Sequence, residues 1–277
     1  GHIAATYIAK NGNLNMATSK HLGLIYTNSY DDLITDSAAG GTALATGQKT
    51  NNRHIGVDQQ GQKIANIMEV LPEHYQKAIL TTDEITGATP SAYYAHVSER
   101  DDAKAIINDL VNSNINLIVG AGKKHLKHIE QYKSQSSLLH NEIPSSFIND
   151  KVNIVALENS DLPYFNQGRG DFLTQSFSKI LYQLKANDQP FFFMVENSHI
   201  DNSGHHNSPK DVISEVLDFD KCVGEAIEFV KNNPNTTLIV LADHETGGIT
   251  LPHGSNDHVA FSFSTDDHTA APVPVFA

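Results

Sequence analysis

Five short runs of β-forming residues set the frame for this chain: Leu22–Thr27, Ala78–Thr82, Asn116–Val119, Phe191–Val195 and Thr237–Leu241. Several are apolar without interruption, as expected of strands covered on both faces. Between them lie longer amphipathic segments, at Ser37–Thr46, Asp101–Asn112, Asp171–Lys185 and Ser208–Lys231. The last carries Val212, Val216, Phe219, Val223 and Ile227 close to a 3.6-residue period. This alternation predicts an α/β fold, with a largely parallel central sheet sandwiched by helices. At 277 residues the chain is long enough for one large domain, and the pattern reads as a single domain over 1–277. The more polar stretch 123–170 reads as an irregular insertion over one end of the sheet.

The formal net charge is -13, which excludes a nucleic-acid-binding surface of the usual kind, because phosphate backbones are gripped by Lys and Arg. An acidic protein can still bind a phosphate ester if bound cations reverse the local field. No run of 18 apolar residues occurs, so no membrane span is expected. Cys222 is the lone cysteine. It excludes a disulfide framework and a cysteine-rich zinc site, and reads as a core residue.

Polar clusters follow the predicted strands, where open α/β sheets bind ligands. In Thr35-Asp36-Ser37-Ala38-Ala39-Gly40-Gly41-Thr42-Ala43 a serine stands at a helix start, beside free N–H groups that favour an anion. The simpler reading is that Asp36 or Ser37 only caps the helix. After Phe191–Val195 comes Glu196-Asn-Ser-His-Ile-Asp201-Asn-Ser-Gly-His205, two carboxylates and an imidazole suited to Zn²⁺ or Mg²⁺. A solvated loop is the alternative there, and spacing alone leaves His206 as available as His205. After Thr237–Leu241 the adjacent Asp243 and His244 can turn toward one ion, with Gly247-Gly248 permitting a sharp turn. Thr89, in Thr86-Gly87-Ala88-Thr89-Pro90, can complete a magnesium shell, and Arg100 can grip two phosphate oxygens. Taken alone, these two are a turn threonine and a surface arginine. Asp267-His268-Thr269 closes the series.

In this order the blocks resemble the alkaline phosphatase family, bacterial type. The run Thr35–Ala43 with Gly47, Lys49 and Gly56-Val57-Asp58 resembles its nucleophile signature, and Ala88-Thr89-Pro90, Ala95-His96-Val97 and Arg100 its next block. The resemblance implies hydrolysis of small phosphate monoesters through a phosphoserine on Ser37, with Arg100 as phosphate clamp and Asp36 orienting the clamp. It implies two Zn²⁺ and one Mg²⁺ as cofactors: Asp201, His205 and His268 on the first zinc, Asp243 and His244 on the second, Thr89 and Glu196 on the magnesium. Two zinc ions about 4 Å apart would stabilise both oxygens of an in-line displacement. Periplasmic or secreted location and a homodimer are further implications. Gly87 stands where relatives commonly carry Asp or His near the magnesium, and Asn202 where they often carry Lys, His or Trp.

Gly1-His2-Ile3-Ala4 resembles the sequence that follows a family segment bearing a metal-bridging Asp, and Phe276-Ala277 resembles the middle of a β segment. The resemblance therefore implies a chain truncated at both ends. Two alternatives remain at this point: a phosphodiesterase of the same superfamily, and a non-catalytic fragment that binds metal or phosphate.

Overall fold

The computed structural model describes residues 1–125, 127, 137–146, 151–255 and 258–277. Its strands are β1 (Leu22–Ile25), β2 (Gln76–Glu84), β3 (Leu117–Ala121), β4 (Ser137–His140), β5 (Val152–Ala156), β6 (Phe191–Glu196), β7 (Glu245–Thr246), β8 (Thr250–Ser255), β9 (His258–Ser262), β10 (His268–Thr269) and β11 (Val273–Phe276). Its α-helices are α1 (His2–Ala9), α2 (Ser37–Thr46), α3 (Ile67–Val70), α4 (Ala88–Ser91), α5 (Ala103–Val111), α6 (Phe172–Ala186), α7 (His199–His205) and α8 (Pro209–Asn232). They fall into two compact units. One comprises Ser29–Leu162 and Lys179–Glu196, the other Gly1–Asn28, Pro163–Ser178 and Asn197–Ala277.

The first unit holds the expected parallel sheet, five strands in the order β4-β5-β3-β2-β6. Ala78, Ile79 and Leu80 of β2 and Leu117, Ile118 and Val119 of β3 are completely buried. Their uninterrupted apolar letters reflect cover on both faces. Ile106, Ile107 and Leu110 of α5, Met68 of α3 and Ala38 and Ala45 of α2 pack into the same core. Helix starts are set by side-chain caps. Asp102 accepts from Ala105 N at 3.0 Å, which places the first turn of α5 after Asp102. Asn66 and Glu69 form a reciprocal capping box on α3.

The stretch 123–170 is more than an insertion, since β4 and β5 within it extend the sheet. Asn153 hides the second of these strands from a pattern search. It is fully buried, and its amide donates to Asn116 O at 2.8 Å, so a polar letter sits satisfied inside a core strand.

In the second unit β1 pairs antiparallel with β11, β7 with β10, and β8 with β9. Two expectations fail here. Strand β1 is not covered on both faces: Leu22 is 68% and Leu24 65% exposed. Thr237–Leu241 is not a strand. Val240 alone bridges Phe276, exchanging hydrogen bonds of 2.9 and 2.8 Å, while Ile239 is 58% exposed. Propensity can make a run extended, but a strand needs a partner along its length. Helix α8 begins one residue after Ser208, whose hydroxyl accepts from Asp211 N. Val216 and Val223 from this helix pack with Leu14, Met16 and Val240. Cys222 is buried as expected, its thiol pushed up to about 12 by desolvation.

A buried ion triad ties this unit together. Arg169 Nη2 meets Glu215, and Asp218 Oδ2 at 2.9 Å, with all three side chains at most 1% exposed. Glu215 also accepts from Phe165 N at 2.7 Å and from the Asn197 amide at 3.0 Å, anchoring the segment that leads into α7. Breaking a buried pair leaves the surviving charge without compensation. Arg169→Met should therefore lower unfolding stability by about 3–5 kcal/mol. Urea unfolding followed by circular dichroism measures it, and a loss below about 1 kcal/mol would mean that solvent screens the triad.

Candidate active site

Helix α7 carries Asp201 and His205 one turn apart, and so on one face. Strand β10 brings His268 to them through its pairing with β7, His268 opposite Thr246. His205 Nδ1 lies 2.7 Å from Asp266 O, a contact that makes Nδ1 a donor and turns Nε2 toward Asp201 and His268. That Nε2 is 3.2 Å from His268 Nε2 and 3.3 Å from Asp201 Oδ2, and His268 Nε2 is 3.6 Å from Asp201 Oδ1. Two ligands about 2.0–2.1 Å from a tetrahedral zinc stand roughly 3.3 Å apart. The three donors thus have the mutual spacing of a zinc triangle. Among the described residues they are the set of three His, Cys, Asp or Glu ligands whose donor atoms lie within 4.8 Å of one another.

The electrostatics follow from this convergence. Burial alone would raise Asp201, but hydrogen bonding to His205, the field of His244 and the Thr246 hydroxyl hold it well below the usual carboxylate range. The Asp201 hydrogen bond in turn holds His205 up to about 9, against the effect of burial. The neighbouring His206 makes contacts of its own, apart from this cluster. His206 Nδ1 pairs with the Tyr164 hydroxyl at 3.0 Å, and Tyr164 stacks on His199 with centroids 4.4 Å apart. Asn202, the departure noted in the sequence, sits with its amide nitrogen 3.1 Å from His199 Nδ1.

Asp243 and His244 occupy the turn before β7. His244 is nearly buried and stacks on His268 at 3.5 Å between centroids, with Asp243 Oδ2 3.4 Å from its Nε2. Two side chains that the sequence left without roles hold this arrangement. Thr246 donates to Asp201 Oδ1 and lies 3.2 Å from His244 Nδ1. Glu245 accepts from Gly248 N and Ile249 N, both at 3.2 Å, and from the Thr269 hydroxyl, tying the turn to β10. Gly247 and Gly248, at φ 84° and 55°, make the sharp turn expected of them. A hydroxyl two residues after His244 was the available signal for Thr246.

In the other unit Ser37 is the first residue of α2, and Asp36 is its cap. Asp36 Oδ1 accepts from Ala39 N at 2.9 Å, while Oδ2 accepts from Arg100 Nη1 and from Arg53 N, each at 3.0 Å. One carboxylate therefore fixes both the helix start and the guanidinium. Arg53 was missed in the sequence. Its own guanidinium is held by Glu99 and Asp101, and its backbone is at φ 73°.

Glu196 ends β6 opposite Thr81 of β2, whose hydroxyl donates to it. Thr89 lies in α4, two residues after Gly87. A buried neighbour was also missed: Asp83, whose carboxyl is pushed well above the usual range by desolvation and then by the charges of Glu196 and Asp161.

The family model described as "Alkaline phosphatase" matches residues 4–141 and 157–277. The chain belongs to the alkaline phosphatase family. Alkaline phosphatase 4 of Bacillus subtilis is 34% identical over 236 residues, covering 79% of this chain and 50% of that protein. The repressible alkaline phosphatase of Saccharomyces cerevisiae is 29% identical over 273 residues, covering 82% and 48%. The chain thus spans about half the length of these sequence relatives. Among solved structures, alkaline phosphatase from the Antarctic bacterium TAB5 superimposes with a TM-score of 0.89 at 32% identity, over 99% of this chain and 86% of that one.

The donor triangle generates a direct test. His205→Ala, Asp201→Ala and His268→Ala should each remove about one zinc per chain, measured by mass spectrometry of metals after dialysis, whereas His206→Ala should keep it. Retention in His205→Ala with loss in His206→Ala would move the ligand by one residue.

Proposed function

We propose that the chain is catalytic and hydrolyses small phosphate monoesters through a phosphoserine on Ser37. The observation that carries this reading is the double role of Asp36, which caps the helix bearing Ser37 and grips the Arg100 guanidinium. A helix N-terminus and an arginine beside a serine hydroxyl make a receptor for a dianionic phosphoryl group.

The donor sets fit the expected ions: an Asp-His-His triangle suits zinc, and oxygen ligands such as Glu196 and Thr89 suit magnesium. We assign the first zinc to Asp201, His205 and His268, the second to Asp243 and His244, and the magnesium to Thr89 and Glu196. Such ions, when bound, would supply positive charge to a phosphoryl group and its oxygens and favour ionisation of a nucleophilic hydroxyl. A TAB5 variant holds magnesium in a site called M3, which supports a magnesium position within the family fold.

Ser37 Oγ attacks phosphorus as the bond to the leaving oxygen breaks, the Ser37 proton passes by way of solvent to the departing alkoxide to give the alcohol, and the phosphoryl group stays on Ser37. Arg100 neutralises the equatorial oxygens while Asp36 keeps its guanidinium in place. Water then attacks the phosphoserine, releasing inorganic phosphate and restoring the hydroxyl. Because each group addresses the phosphoryl moiety, tolerance of varied alcohols follows. The same family reading extends to a homodimer and to export into the periplasm or beyond. No helix among the described residues is long and apolar enough to cross a membrane.

Acid quenching after mixing with phosphorus-labelled p-nitrophenyl phosphate should leave label on Ser37, and Ser37→Ala should lose the label and at least about a thousandfold in kcat. Label retained in that variant would overturn the nucleophile assignment. Arg100→Ala should raise the inhibition constant of inorganic phosphate by about 10–100-fold, the worth of a charge-assisted pair of hydrogen bonds. Faster turnover of bis(p-nitrophenyl) phosphate than of the monoester would favour a diesterase instead.

A further inference from the structure

Position 87 has a glycine for a reason visible in its surroundings. A Cβ added to Gly87 would lie 1.9 Å from Asp83 Oδ2 and 2.5 Å from Asp83 Cγ, far closer than non-bonded carbons and oxygens approach. The carboxylate of Asp83 therefore fills the space that any side chain at 87 would take. Four residues apart along the chain, the two positions compete for one volume.

We propose that Asp83 supplies to the magnesium site the carboxylate that position 87 lacks. The inference rests on the reading above that Thr89 and Glu196 hold that ion. Three contacts aim Asp83 at the place. Glu84 N donates to Oδ1 at 2.6 Å and fixes the rotamer, leaving Oδ2 turned toward Gly87, two residues before Thr89. The Thr81 hydroxyl accepts from Asp83 N at 2.9 Å and donates to Glu196, so one side chain orients both acids. Strand β2 continues through Asp83 to Glu84, which places Asp83 beyond the point where Thr81 faces Glu196 across β6. Magnesium takes oxygen ligands and keeps several waters, so a second carboxylate beside Glu196 suits it without demanding a closed cage.

The competing explanation is structural: Asp83 shares a hydrogen bond with Asp161, and serves only to pack the end of β2. The two differ in what rescues a loss. A carboxylate returned from position 87 would restore charge to the site, but it would not restore the Asp83 contacts with Glu84 N and Asp161.

The test is calorimetric titration of magnesium chloride into EDTA-treated, zinc-reloaded protein, with thermal unfolding of each variant as a folding control. Asp83→Asn and Asp83→Ala should weaken magnesium binding by tenfold or more, within the range expected when a residue supporting a metal site is removed. Gly87→Asp alone should lower the melting temperature, because the two groups overlap. The double variant D83A/G87D should recover most of the affinity. Wild-type affinity in D83N, with affinity lost in Glu196→Gln, overturns the role of Asp83 and leaves the magnesium reading standing. Weakening in D83N that D83A/G87D fails to recover assigns Asp83 to folding and overturns the proposal as well. If the wild type takes up no magnesium, or E196Q binds it unchanged, the underlying magnesium reading falls and the proposal with it.

Discussion

Converging negative charge is the constraint on which the rest of this molecule depends. With a net charge of -13, the chain must offset each buried carboxylate locally, and it does so in two ways. In some places it supplies its own cation. Arg169 lies between Glu215 and Asp218, Arg100 meets Asp36, and Lys124 and His125 meet Glu84 at 2.5 and 2.6 Å. At Asp201 the partners are imidazoles with their donor nitrogens turned inward, and at Glu196 the neighbours are a threonine and another acid. Such sets are stable in water only with protons or metal ions between them. The Arg169 triad belongs to the scaffold, while Arg100 with Asp36 and the acid clusters at Asp201 and Glu196 lie at the candidate site.

Several side chains of the candidate site are held by neighbouring groups that are not themselves candidate ligands. Asp266 O fixes the tautomer of His205, Thr246 braces Asp201, and Tyr164 keeps His206 turned to itself. Asp36 serves α2 and Arg100 with separate oxygens. These supports come from turns and strand ends next to regular elements. The buried parallel sheet supplies the rigid end in one unit, and the pairing of β7 with β10 supplies it in the other.

Part of the Asp201, His205 and His268 cluster was legible in the sequence because candidate ligands are local. Asp201 and His205 lie one helical turn apart, and Asp243-His244 and Asp36-Ser37 are adjacent pairs. Helices α2, α5, α6 and α8 were also readable, the last three from amphipathic periods and flanking caps, whereas the short α1, α3, α4 and α7 were not. What stayed hidden depends on partners distant in sequence. Thr237–Leu241 has the letters of a strand but meets only Phe276 through Val240. Strand β5 has a polar letter, Asn153, whose partner Asn116 lies 37 residues earlier. Asp83 and Gly87 are close enough to read together, yet nothing in their order reveals that one fills the space of the other. The family resemblance identified 87 as a departure, and the geometry shows what stands there.

The central claim is that cations held by the chain, rather than its own side chains alone, make it a receptor for phosphate. Calorimetric titration of inorganic phosphate into the EDTA-stripped protein, and into the same sample reloaded with zinc and magnesium, tests this most directly. The account predicts one phosphate per reloaded chain and binding at least about a hundredfold weaker after stripping, a difference of about 2.7 kcal/mol. Equal affinity in the two samples would contradict it, and would leave Arg100 and the start of α2 as a sufficient phosphate site by themselves.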